Sequence, residues 1–221
     1  MKPGINKVLQ NYAVEIEFLV ISVIQGMALQ MLAVAASTPL SMLQVEYWFA
    51  IVSAFILILI FWSQAVLHAL SFINWPIDIV HTCIYFLASF VEVMAFNHVT
   101  NPLKWFVFGF VFLIISGLLY LYDLLMIRRR RKDFIANAAR RALFQHMYTQ
   151  QVKEMKLFLP GALLFSGISA WLIYTYPVLF IDHHFHAVLS GIQMLLSIGL
   201  LAVTIQTFKR RSQLLENSLT I

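Results

Sequence analysis

Polar side chains recur at helical spacing inside an apolar stretch of the chain between residues 77 and 96. Five of them are spaced alternately four and three residues apart, so at 100° per residue they stay within about 80° of one face of a helix. A charged group in hydrocarbon is costly and marks substrate, ion or proton paths in membrane proteins. We therefore predict a transport path or polar spine formed by Asp78, Thr82, Tyr85, Ser89 and Glu92, with His81 at its edge.

Three polar residues on neighbouring stretches extend this predicted path. Gln64 and His68 lie four residues apart late in the preceding stretch, and Asp123 lies late in the following one. His68 and Asp78 flank a short turn, so we expect contact between the helices that carry them. A carboxylate beside an imidazole can act as a proton-sensitive switch. The alternative for these side chains is local hydrogen bonding between helices or contact with interfacial water.

A dense cluster of histidines occupies the segment before the last apolar stretch. Imidazole and carboxylate groups bind zinc, copper or nickel, and histidine titrates near neutral pH. The chain has no histidine pair at i, i+4 with an adjacent glutamate, so the zinc-protease motif is absent. Metal binding, pH sensing and a solvated loop all remain open for Asp182, His183, His184 and His186.

A basic segment at 128–156 carries apolar residues at helical spacing and is predicted to form a cytoplasmic helical arm. One interpretation is binding to anionic lipids of the inner leaflet, worth about 1 kcal/mol per basic residue. The other is docking of a soluble protein or of a neighbouring subunit. The basic residues lack interleaved aromatic residues for base stacking, so no nucleic acid is expected. The predicted docking residues are Arg128, Arg129, Arg130, Arg131, Lys132, Arg140 and Arg141.

The elements that must position these residues are membrane helices. The chain is 61% hydrophobic and 11% charged, with a mean hydropathy of +0.83, whereas soluble domains carry about 25% charged residues. This composition predicts an all-α integral membrane protein: a six-transmembrane-helix bundle forming a single transmembrane domain over residues 1–221. The spans are expected at 13–36, 47–71, 77–96, 103–127, 157–179 and 187–208, because each is apolar over about 20 residues or more.

The distribution of basic residues orients this bundle. Every Lys and Arg other than Lys104 lies before the first span, in the 128–156 segment or after the sixth span. With six spans these three segments share one side of the membrane, and lysine and arginine favour the cytoplasmic side. We therefore predict cytoplasmic N and C termini, in a bacterial inner membrane.

No catalytic signature appears in the sequence. It contains no paired-cysteine motif, no Gly-rich phosphate loop and no Ser-His-Asp arrangement, and its one cysteine is Cys83. We therefore expect no enzyme activity and no cofactor; His68 and His81 alone are a thin basis for bis-histidine haem binding.

The function predicted from these patterns is an oligomeric channel or transporter that carries a small cation or protons along the polar stripe of the third helix. The alternative is a non-transporting sensor or scaffold subunit, which recruits a cytoplasmic partner through the basic arm. A membrane-embedded metal or redox protein is a weaker third hypothesis. The expected partners are the lipid bilayer, anionic inner-leaflet lipids and further copies of the chain.

Overall fold

Helices make up nearly all of a computed structural model of the protein, which describes residues 3–42, 44–71, 79–129 and 138–219. Within these ranges there is no β-strand. Short helical turns at Val45–Tyr47, Glu154–Phe158 and Val178–Asp182 link longer helices. The α-helices of the described residues are α1 Pro3–Ser41, α2 Trp48–Ser71, α3 Ile79–Asn97, α4 Pro102–Arg129, α5 Ala138–Lys153, α6 Leu159–Thr175 and α7 His186–Leu219.

Among the described residues, six helical stretches are long and apolar enough to cross a membrane, which confirms the predicted number of spans and the all-α class. The chain is therefore a polytopic membrane protein. The fifth stretch joins α5 to α6 and so includes the second half of the segment predicted as a basic arm. The six stretches are Phe18–Ser37, Val45–Val66, Val80–Asn97, Pro102–Arg129, Phe144–Thr175 and His186–Gln213.

The bundle buries small side chains and exposes large apolar ones. Ala28, Ala54 and Ala88 are fully buried, whereas Phe90 and Trp171 are 63% and 60% exposed. In water, such an apolar surface would promote association. In a bilayer, lipid tails solvate large apolar groups as well as protein does, so helices associate through small residues and interhelical hydrogen bonds. The distribution of side chains thus matches lipid as the solvent.

Close packing of small residues joins α4 to α6. The Ser166 hydroxyl donates a hydrogen bond to the carbonyl of Phe106 at 2.9 Å. A Cβ added at Gly109 would lie 3.4 Å from the Ser166 hydroxyl oxygen, and one at Gly167 would lie 3.2 Å from the ring of Phe110. The α4–α6 contact therefore depends on the absence of a side chain at 167.

An apolar core fills the half of the bundle in which α2 and α4 begin. Most of its residues come from the second halves of α1 and α3 and the first halves of α2 and α4, so successive helices run in opposite directions, and Val99 after α3 and Ile173 of α6 complete it. Around it, α1 packs on α2 and α3, α2 on α7, and α4 on α3 and α6. The apolar core comprises Ala28, Leu32, Ala50, Ala54, Ile58, Ala95, Phe96, Val99, Trp105, Phe106 and Ile173. We call the opposite end, where α4 ends and α7 carries Arg211, the basic end.

A widened helical turn joins α5 to α6. Glu154–Phe158 is π-helical, and Pro160 follows in the first turn of α6. Proline has no N–H to donate to the carbonyl of Lys156, and a π turn is one way for a helix to absorb a missing hydrogen bond. The irregular turn thus begins six residues before Pro160, and it carries Glu154, which is only 8% exposed.

Candidate functional site

A cavity of about 620 Å³ occupies the half of the bundle nearer the basic end. Every one of the seven helices contributes to its wall, and most of the wall is apolar. Its volume is within the range of pockets that bind small organic ligands. Apolar lining residues include Ile16 of α1, Leu57 of α2, Leu113 of α4, Met147 of α5, Ala162 of α6 and Leu200 of α7.

An imidazole and a carboxylate meet in the wall of this cavity. Nε2 of His81 on α3 lies 3.3 Å from Oδ1 of Asp123 on α4, and the two side chains are 15% and 13% exposed. The antiparallel packing of α3 on α4 sets the start of one helix beside the end of the other. Both residues belong to the predicted path, and the structure brings them together.

A buried arginine and glutamate lie in the same wall. Arg211 of α7 is 5% exposed and Glu154 is 8% exposed. Arg211 interacts electrostatically most strongly with Glu154, and also with Tyr120 and Asp123, while Gln150 Nε2 donates to Glu154 at 2.8 Å. Nε of Arg211 has no hydrogen-bond acceptor among the described residues. We call His81, Asp123, Glu154 and Arg211 the ionic cluster.

Two hydrogen bonds join polar side chains of the wall to a neighbouring helix. Gln64 Nε2 of α2 donates to the Thr204 hydroxyl of α7 at 3.5 Å. Trp105 Nε1 donates to Gln193 Oε1 at 2.7 Å. Trp105 belongs to the apolar core and Gln193 lines the cavity, so this second bond lies at the boundary between the two.

Three aromatic rings line the cavity beside the ionic cluster. Phe61 of α2 stacks on Tyr85 of α3 with ring centroids 5.1 Å apart, and its edge-on contact with Phe112 of α4 is 5.5 Å. Tyr85 lies one helical turn after His81. These ring contacts join α2, α3 and α4, one helical turn along α3 from His81.

The polar stripe of α3 divides into two parts. Near the start of the helix it faces the cavity, but Ser89 donates its hydroxyl to the carbonyl of Tyr85 at 3.0 Å, within the same helix. Glu92 is 3% exposed and accepts a hydrogen bond from Gln25 Nε2 of α1 at 3.3 Å. The predicted path residues that line the cavity are Gln64, His81, Thr82, Tyr85 and Asp123.

Several residues of the predicted sites lie beyond what the structure describes. Asp78 of the path and Arg130, Arg131 and Lys132 of the arm are outside the described ranges. For His68 and Arg140 the backbone is helical, and their side chains are outside the description.

Three of the predicted docking residues of the arm are described, two at the end of α4 and one in the first turn of α5. Arg128, Arg129 and Arg141 are exposed. Arg128 Nη2 donates to the hydroxyl of Tyr148 on α5 at 2.9 Å, and its guanidinium carbon lies 5.6 Å from the centroid of that ring. Because α5 also packs on α4 and α7, this helix is anchored to the bundle.

The histidine-rich segment before α7 divides between the interior and the surface. His186 is 2% exposed, with its Nδ1 2.7 Å from the carbonyl oxygen of Phe180 and its ring stacked on Tyr47 at 5.5 Å. Asp182, His183 and His184 are exposed. Over the part of the chain that the structure describes, no three His, Cys, Asp or Glu side chains are grouped to hold a metal ion.

Two members of the ionic cluster were not among the predicted site residues. Arg211 lies in the basic segment after the predicted sixth span, and Glu154 lies in the predicted arm. The spacing of residues in the sequence is a signal for both positions, because each is the last member of a row of residues at helical spacing, and the structure buries every member of these rows. These rows are Ser190, Ser197, Thr204 and Arg211 on α7, and Met147, Gln151 and Glu154 on α5 and the turn after it.

Comparison of the chain with protein-family models, with curated proteins and with solved structures found no significant match.

Proposed function

We propose that this polytopic membrane protein is a proton-linked transporter of small cations and that the cavity is its substrate site. The observation that carries the proposal is the His81–Asp123 pair, at 3.3 Å, in the wall of a cavity that all seven helices line. Histidine is the side chain that gains and loses a proton near neutral pH. Ionisable groups that face the interior of a membrane bundle are typical of substrate and proton paths.

Charge balance in the cavity supports exchange of a cation for a proton. Among the described ionisable residues of the wall, Asp123 and Glu154 are acidic and Arg211 is basic. When His81 is neutral, these described wall residues therefore carry a net charge of −1. Either a proton on His81 or a bound cation would balance it, and an unbalanced charge costs several kcal/mol when water is excluded. A closed state of the bundle would therefore be most stable with either a proton on His81 or a cation in the cavity.

The apolar core favours a transporter over a channel. It fills the bundle beyond the bond between Trp105 and Gln193, at the end away from the cavity. An ion cannot cross such a region without losing its hydration. Passage would require the helices to rearrange so that the cavity opens to the opposite side, as in alternating access.

Orientation and surroundings complete the proposal. We place the basic end in the cytoplasm of a bacterial inner membrane, because lysine and arginine favour that side. The exposed Arg128, Arg129 and Arg141 would then lie against anionic headgroups. The alternative role as a scaffold would instead use these arginines to recruit a cytoplasmic protein. The cavity is lined within one chain, and formation of a homo-oligomer stays a prediction.

Proton flux in liposomes tests the proposal. Purified protein is reconstituted with a pH-sensitive dye in the lumen, and a panel of inorganic and organic cations is added outside. We expect at least one cation to raise the luminal pH as it enters in exchange for a proton. Asp123→Asn removes the carboxylate beside His81 and should lower this rate about tenfold or more.

The matched control is Glu92→Gln, which replaces a buried carboxyl group outside the cavity and should leave the rate within about twofold, since Gln keeps the hydrogen-bonding shape. Cation-independent proton movement, or none with any cation in the panel, would count against the proposal. In that case recruitment of a cytoplasmic partner becomes the better hypothesis.

A further inference from the structure

The wall of the cavity is suited to a ligand with an apolar body. Most of the lining is aliphatic or aromatic, and the volume is about 620 Å³. A bare inorganic cation is bound by several oxygen ligands that replace its hydration shell. An organic ligand would instead fill the cavity and displace water from its apolar wall.

The aromatic rings beside the ionic cluster add a preference for positive charge. Phe61, Tyr85 and Phe112 come from three different helices, with ring centroids 5.1 and 5.5 Å apart. Faces of aromatic rings carry negative electrostatic potential and attract ammonium and phosphonium groups. A cationic head near these rings would also be one helical turn from His81 and its partner Asp123.

The ionisable groups around this position come from several elements. Helix α3 contributes His81 and Tyr85, α4 contributes Asp123 and Tyr120, the turn after α5 contributes Glu154, and α7 contributes Arg211. His146 of α5 lies near Arg211 and near the exposed Arg210, and the ring centroid of Tyr122 of α4 lies 6.4 Å from that of His81. The described lining residues of α1, α2 and α6 are uncharged. Among the described residues that line the cavity, the negative charges exceed the positive ones by one when His81 is neutral.

A second observation indicates that the wall is built to receive polar groups. The Ser116 hydroxyl of α4 lines the cavity, is 8% exposed and has no hydrogen-bond partner among the described residues. A buried hydroxyl without a partner loses free energy, which water or a ligand atom would restore. Ser116 lies one helical turn from both Phe112 and Tyr120, so this position faces the same part of the cavity.

From these observations we infer that the substrate is an amphiphilic organic monocation, whose apolar body lies against Phe61, Tyr85 and Phe112 and whose charge is balanced by Asp123. The inference deepens the proposed function, on which it rests for the transport step, by naming the class of cation. A proton on His81 adds a positive charge at the same place. Binding of the cation should therefore weaken as the pH falls, by up to about tenfold per pH unit once His81 is mostly protonated.

Two probes of the same shape and opposite charge test the inference. Binding of tetraphenylphosphonium and of tetraphenylborate is measured by equilibrium dialysis on the full chain in nanodiscs, with protein-free nanodiscs as the reference for partitioning into lipid. We expect tetraphenylphosphonium to bind saturably at one site per chain, about tenfold or more tightly than tetraphenylborate. Equal affinity for the two probes, or tighter binding of the borate, would overturn the inference.

Variants locate the site. Asp123→Asn should weaken tetraphenylphosphonium binding about tenfold and Phe61→Leu severalfold, because they remove the carboxylate and a ring face. Glu92→Gln, whose carboxylate faces α1, should leave the dissociation constant within about twofold. If Asp123→Asn fails to give a monodisperse protein, Phe61→Leu carries the comparison. If neither Asp123→Asn nor Phe61→Leu changes the affinity for tetraphenylphosphonium, the ligand binds outside the cavity and the inference is refuted.

The outcomes separate the ligand class from the transport step, because binding in nanodiscs requires no flux. Charge-selective binding without cation-driven proton movement in liposomes would retain the ligand class and reject the transporter. Proton exchange driven only by inorganic cations, with no phosphonium binding, would retain the transporter and reject the organic cation.

Discussion

At the residue scale, Arg211 shows how burial changes the role of a charged side chain. In the sequence it ends a run of three basic residues, one of the segments from which the orientation of the chain is predicted. In the structure Lys209 and Arg210 are exposed, whereas Arg211 is buried beside Glu154 and Asp123. A guanidinium remains protonated in proteins, so its burial requires anions nearby. Basic side chains are therefore exposed at two of these positions, and at the third the guanidinium faces the cavity.

Glu92 provides a test at the same scale, since its carboxylate faces α1 and not the cavity. Glu92→Gln should change the free energy of unfolding by only about 1 kcal/mol, because an amide can keep the bond to Gln25. Gln25→Leu should destabilise more, because it leaves Glu92 buried without that donor. Thermal unfolding of the two variants in nanodiscs compares them, and a larger loss for Glu92→Gln would contradict this assignment.

At the scale of elements, the contact between α4 and α6 depends on glycine. Leucine at Gly167 would place its Cβ 3.2 Å from the Phe110 ring and push the helices apart, whereas Gly199 on α7 has open space around it. Both substitutions gain about 1 kcal/mol of helix propensity. We therefore expect Gly167→Leu to lower the melting temperature and Gly199→Leu to leave it unchanged or raise it.

Thermal unfolding of the two variants under identical conditions checks this expectation. Both variants replace glycine with leucine, and they differ in the packing around the substituted position. The difference between their melting temperatures therefore measures the effect of the close contact between α4 and α6. A melting temperature for Gly167→Leu equal to that of Gly199→Leu would show that α4 and α6 have room to separate.

At the scale of the whole molecule, topology is the measurable quantity. In a Cys83→Ala background, single cysteines at Asn101 and Arg141 place one thiol at each end of the bundle, at exposed positions outside the apolar stretches. We expect a membrane-impermeant thiol reagent to label Asn101→Cys only from outside intact cells and Arg141→Cys only after the membrane is opened. Labelling of both from one side would rule out the six-span topology.

The sequence by itself determined the class of this protein. Span length and hydropathy are properties of contiguous residues, so the six membrane helices could be located without any knowledge of their neighbours. The polar face of α3 was equally readable, because 100° per residue fixes which side chains share a face. Nothing in that periodicity, however, says which helix lies opposite the face.

Tertiary packing alone decided what each polar side chain meets. The packing of α1 on α3 places Gln25 against Glu92, so the part of the polar stripe that contains Glu92 contacts α1. The packing of α4 on α3 brings Asp123 to His81, and the π turn after α5 sets Glu154 near Arg211. These contacts join residues that are distant in the chain, and their energies depend on helix rotation and burial. A cavity is a property of the whole bundle, and for that reason its charge balance could not be derived from any one span.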